Sequence, residues 1–207
     1  MEVGRRTPRI SFSSLCEFIT ASDTRRLTIL RQQKRPRPFV FANYSNALRQ
    51  IQDYAVDQRP LDPSDARLEA HEQEVIAELL GRDWLEAGIT ASRPDPRQTL
   101  LTVRGVEISI YPDLVLHAGD GPNRRAGALK FHFAKTRDLD PEVGKWMASL
   151  LYQHHLGMEQ ASGADPELCM VYDIRQDQHH KAGKTHKRLF QNIDSACRFI
   201  AAIWGAV

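Results

Sequence analysis

The chain is poor in cysteine, has no long apolar run and carries almost no excess of charge. Its three cysteines, Cys16, Cys169 and Cys197, stand far apart. There is no CxxC and no Cys/His spacing of the zinc kind, and thiols scattered this widely do not make a disulfide framework. They read as three small buried hydrophobes in a reduced, cytoplasmic compartment. No stretch of 18 or more apolar residues occurs, so no membrane-spanning helix is expected. The opening residues, MEVGRRTPRISFSS, lack the apolar core of a signal peptide. GxxxxGK[ST], GxGxxG, GxSxG and HExxH are all missing, which removes the usual support for nucleotide-hydrolysing, dinucleotide-binding, serine-hydrolase and zinc-protease readings.

What is present is ordinary globular material: 207 residues, 42% hydrophobic and 26% charged, enough for a substantial core. The net charge of +2 hides a segregation. Residues 1–50 hold ten Lys/Arg against three acids, residues 51–95 four against eleven, and residues 96–207 fourteen against twelve. The basic first segment could contact phosphates or dock on the acidic middle segment, and both readings stand open.

Helix signals come early. Ser14 and Glu17 have capping-box spacing and predict a short helix over 15–20. Ser22 or Asp23 predicts a second helix to about Gln33, ended by two prolines in KRPRP. Ser45 predicts a third over 46–56, with Leu48, Ile51 and Tyr54 on one face. RPLDP at 59–63 is the strongest boundary, so residues 1–60 are expected as a basic helical part and 61–207 as an α/β core. Ser64 or Asp65 predicts the longest helix, to about Leu80, with Glu69, Glu72, Glu74 and Glu78 as its charged face. A loop follows at 92–97. Pro141 opens a helix to about Leu156, residues 168–174 read as a buried strand, 176–186 as a polar hairpin-like loop with Gly183 at its tip, and 190–204 as a last helix.

The centre of the sequence is residues 99–136. Three strands in a meander are expected over 99–103, 106–117 and 128–133, from their β-branched residues in period two. Arg104-Gly105 and the run 119–127 supply the turns. Pro112 cannot donate to a ladder and predicts a bend beside Asp113. Lys130 lies on the next strand, and neighbouring strands run about 4.8 Å apart, so acid and lysine can point at one place.

Pro112-Asp113 followed by Lys130 resembles the core motif of the PD-(D/E)XK, or restriction-endonuclease-like, nuclease superfamily. The element order from residue 64 (helix, three strands, helix, strand, helix) fits it as well. The resemblance implies a three-layer α/β core, a mixed sheet between helices, carrying the N-terminal helices as an addition. It implies a magnesium-dependent nuclease acting on DNA, of the kind found in defence or mobile-element systems. Asp113 would hold the metal and Lys130 would position the attacking water. The sequence departs from the pattern at Ala128, which stands where the second acid belongs. Glu72 (or its neighbour Glu69) or Glu142 would then complete the set. The alternative is an inactive relative that binds nucleic acid or a partner protein. Many relatives are homodimers, and no membrane partner is implied. His132 shares the strand face of Lys130. His154-His155 make a poor chelate, because adjacent helical residues diverge. His179, His180, Lys181, Lys184, His186, Lys187 and Arg188 form a basic cluster that reads either as phosphate-contacting or as a solvated hairpin.

Overall fold

The computed structural model describes residues 7–35, 43–97, 99–133, 138–157, 163–183 and 186–207. The α/β class is as expected: the described residues form two mixed sheets and six helices. Lys184 lies outside the described residues.

The strand expected over 106–117 is two strands. β3 (Leu100–Val103) and β4 (Val106–Ser109) form a hairpin turned by Arg104-Gly105, and β5 (Leu114–Ala118) starts only after Asp113. Pro112 is the reason. The Ile110 N–H donates to the Thr99 carbonyl at 2.8 Å, and the Asp113 N–H donates to the Leu129 carbonyl at 2.8 Å. Between them the chain crosses from one sheet to another, because a residue without an N–H cannot carry the ladder through. β4 is the middle of a three-stranded sheet, parallel to β1 (Arg9–Ser11) and antiparallel to β3. β5 belongs to a five-stranded sheet ordered β2-β5-β6-β7-β8, with β2 at Ile89–Ser92, β6 at Arg125–His132, β7 at Met170–Asp173 and β8 at Gln178–Lys181. Only the β6–β7 pair there is parallel.

Parity sorts the larger sheet. Leu114, Leu116, Leu129, Phe131, Met170 and Tyr172 enter one core with α3 (Ser45–Asp57) and α4 (Ala70–Leu79). Ala128, Cys169 and Val171 enter another with α5 (Pro141–Leu156). That second core continues through α1 (Phe12–Thr20), α2 (Asp23–Lys34), α6 (His186–Ile203) and the small sheet. α5 is therefore enclosed. Nine of its 16 residues are buried, the mark of a helix covered on every side.

This arrangement alters several expectations. Of the described residues before 60, those of β1, α1 and α2 join the α5 core, and those of α3 join the α4 core. The basic first segment meets the acidic middle at the start of α3, where the Asn46 and Ala47 N–H groups donate to Glu72, while its described cations Arg26 and Lys34 turn to backbone carbonyls. Arg26 donates to the Phe18 and Ile19 carbonyls at the end of α1, and Lys34 donates to the Trp204 and Val207 carbonyls. Four acids of the middle segment pair with nearby arginines, through Arg93–Asp53, Arg93–Asp57, Arg67–Asp65 and Arg97–Asp95. α4 begins at Ala70, not near Ser64, because Asp62 and Asp65 fold back onto the N–H groups of Ser64 and Arg67 as local turns. The longest helices are α6 and α5. The hairpin after β7 turns at 174–177, where the Asp173 carboxylate accepts from the Arg175 and Gln176 N–H groups, and not at Gly183. Among the described residues no helix is long and apolar enough to cross a membrane.

Candidate functional site

Asp113 and Lys130 meet where the chain leaves the bend and enters β5. The register Leu114↔Leu129 carries on to set Asp113 across from Lys130. Lys130 Nζ donates to Asp113 Oδ1 at 2.6 Å, and the Phe131 N–H donates to Oδ2 at 2.7 Å. The backbone is held as firmly, since Gln52 of α3 donates its side-chain amide to the Asp113 carbonyl at 2.8 Å. Asp113 is 2% exposed. Burial pushes its carboxyl above the ordinary range, against the opposing pull of the Lys130 charge and the two donated hydrogen bonds.

The face is fixed by parity. Lys130 shares the alternation of Ala128 and His132, and Ala128 packs in the α5 core, so the pair sits on the α5 side of the sheet. Ala128 is 1% exposed and brings no oxygen.

Glu72 is not there. It projects from α4 toward the start of α3, where Oε1 accepts from the Asn46 and Ala47 N–H groups at 2.9 and 3.2 Å. Oε2 accepts from the Glu69 N–H at 3.0 Å. Burial would raise this carboxyl, but the N–H donors of Glu69, Ala47 and Asn46 outweigh it and leave it below the ordinary value. It closes two helix starts. Glu69 is the residue before α4, with its carboxylate 3.5 Å from His71. Glu142 is exposed in the first turn of α5, where its N–H donates to the capping carboxylate of Asp140 at 2.8 Å.

A divalent cation such as magnesium needs several oxygens, usually with one or two free carboxylates among them. Here one carboxylate has both oxygens engaged by protein donors, its expected neighbour is an alanine, and Glu72 faces the opposite layer. Among the described residues no group of three or more His, Cys, Asp or Glu side chains converges on a metal position. The residues present do not fit a resident magnesium ion.

Beside the pair, on the same face, His132 borders a cleft of about 200 Å³. Ser13 and Glu17 of α1, Asp138, Asp140, Val143 and Met147 form its other walls. Sequence reasoning missed this cleft because its walls come from segments more than a hundred residues apart. Four described members of the basic cluster of the last third turn to separate partners or are buried. His179 bonds the Trp84 carbonyl, His180 is buried, Lys181 pairs with Glu86 at 2.6 Å, and His186 bonds the Gly183 carbonyl. His154 and His155 are buried in the last turn of α5.

A scan of protein-family models, a search of curated proteins and a search of solved structures each find no match to this chain.

Proposed function

We propose that the chain is a restriction-endonuclease-like scaffold that binds DNA without cutting it. The observation that carries the reading is the closed Asp113 carboxylate beside Ala128: a metal site reduced to an ion pair inside the strands. Two further features support it. The order α4, β2-β5-β6 antiparallel, α5, then β7 parallel to β6 is a mixed sheet between helices, as that core would have; its first strand is β2 and not the expected 99–103, which pairs with β4 in the smaller sheet. Asp113, one residue before β5, meets Lys130 of β6 beside the proline bend, as the Pro-Asp and lysine of the motif would. The pair then acts structurally, locking β5 to β6 on the buried side of the sheet.

The test is magnesium calorimetry run beside a DNA-cleavage assay on the wild type and on Asp113→Asn. The expected result is no magnesium isotherm and no cleavage by either protein. Magnesium-dependent cleavage by the wild type that vanishes in a folded Asp113→Asn variant would overturn the reading and restore the nuclease.

A further inference from the structure

The β3–β4 turn carries an anomaly. Arg104 has φ 51° and Gly105 φ 79°, the pattern of a two-residue hairpin loop that favours Asn-Gly or Gly-Gly. A long β-unbranched cation in the left-handed region is uncommon, and such outliers point to a task for the side chain. The task is visible on α6. Arg104 Nε lies 2.6 Å from Asp194 Oδ1, and Arg198 Nε lies 3.0 Å from Asp194 Oδ2. One carboxylate thus holds two guanidiniums. Each guanidinium has five N–H donors, while a carboxylate accepts at about four positions in all. Donors remain in large excess, and the trio keeps a net charge of +1. The three side chains line an open groove of about 480 Å³ with Phe190, Gln191 and Ser195.

We propose that this groove binds the phosphodiester backbone of a nucleic acid. Guanidinium forks match phosphate oxygens, and Asp194 serves to hold both forks open toward the groove. The chemistry selects a diester over a monoester: a net +1 site balances one negative charge, and Asp194 repels a second. The stripe also extends beyond one phosphate. Lys187 is exposed and one turn before Gln191, so Lys187, Gln191, Asp194 and Arg198 follow one another along roughly 16 Å of helix. The inference rests on the DNA-binding reading above and names the surface through which it operates.

The experiment is fluorescence anisotropy with a labelled DNA duplex at low salt, on the full chain without added metal. Arg104→Asn suits the left-handed turn better than arginine, so the fold gains while a phosphate contact is lost. Gln191→Glu puts a charge in the groove at an exposed helix position. Both variants are expected to weaken binding several-fold, and Arg104→Asn to lower the slope of log affinity against log salt by about one. Arg97→Gln, removed from an exposed pair with Asp95, controls for general charge loss and should bind as the wild type does. Wild-type binding that survives both variants would overturn the groove while leaving DNA binding intact. No duplex binding, with inorganic phosphate or a phosphoserine peptide bound in its place, would overturn the diester assignment. Metal-dependent cleavage would overturn only the non-cutting reading.

Discussion

Lys130 Nζ lies 2.6 Å from Asp113 Oδ1, and the backbone one residue on supplies the N–H that occupies Oδ2. The pair is about three-quarters buried on the lysine side and almost wholly on the acid side. Removing one member of such a pair strands the other. Asp113→Ala is expected to cost about 3 kcal/mol, leaving an ammonium and the Phe131 N–H without acceptors. Asp113→Asn should cost less, because an amide oxygen still accepts. Urea denaturation of Asp113→Ala, Lys130→Met and the double variant gives the check. The double variant should lose clearly less than the two singles together; strict additivity would mean that the two residues are not coupled.

Glu72 should govern acid stability. Its folded pKa lies below the ordinary value of 4.5, so its contribution is complete above that pH and is lost as pH falls through the folded value. Glu72→Gln weakens the acceptor for the starts of two helices and should cost about 1–3 kcal/mol at pH 7. The same variant should flatten the decline in stability below pH 4.5. A wild-type acid profile unchanged by the substitution would remove Glu72 from this role.

Buried histidines act over a higher range. Burial lowers the pKa of His155, His180 and His117 below 6.5, helped at His155 by the neighbouring His154 and His117. A depressed histidine is protonated more readily in the unfolded chain, so stability falls as pH drops through 6.5. Both ring nitrogens of His155 are buried and find no hydrogen-bond partner among the described residues. His155→Leu is therefore expected to be close to neutral at pH 8 and to reduce the loss of melting temperature between pH 8 and pH 5.5. An identical pH dependence in variant and wild type would count against the assignment.

Gly144 faces the ring of His180 across the α5–β8 contact. A Cβ on Gly144 would stand 2.4 Å from the imidazole. Alanine normally improves a helix by about 1 kcal/mol over glycine, yet Gly144→Ala should destabilise by about 1–3 kcal/mol through overpacking. Adding His180→Ala should recover part of that loss. A stabilised single variant would mean that the ring moves aside freely.

The cysteines should be silent. Cys16, Cys169 and Cys197 are buried, and burial pushes the Cys169 and Cys197 thiols up to about 12 and Cys16 higher still. A thiol reagent at pH 8 should find no reactive group in the native protein and all three in guanidinium. Rapid native labelling at any of them would contradict the packing.

How far the sequence led depends on the range of the cause. α3 and α5 were legible because their faces and ends are local: the stripe of Ile51 in α3, and Asp140 with Pro141 at the start of α5, although Ser45, expected as a cap, is the first residue of α3 behind Tyr44. The bend at Pro112 and the meeting of Asp113 with Lys130 were legible because a missing N–H and a strand spacing decide them. β1, β2 and β8 were not. Each has three or four residues, too few for a period, and β1 exists only because β4 lies beside it. The task of Glu72 was hidden for a similar reason. In the sequence it is one glutamate among several on a helix, and only the arrival of α3 gives its second oxygen something to accept. The Arg104–Asp194 contact joins residues 90 apart, and no local signal announces it.

The parallel pairing of β1 with β4 has a consequence for how the chain is made. Arg9 has Glu107 as its partner and Ser11 has Ser109. During synthesis, at roughly 5–20 residues per second, the strand emerges and then waits many seconds for its neighbour. Meanwhile Ile10 and the apolar face of α1 that follows it have no cover from β4 or α5. The early product is thus a stretch that a chaperone would hold and a protease would cut. Slowing translation between residues 12 and 106 should lower the yield of folded protein, whereas slowing it after residue 156, when α5 is in place, should not.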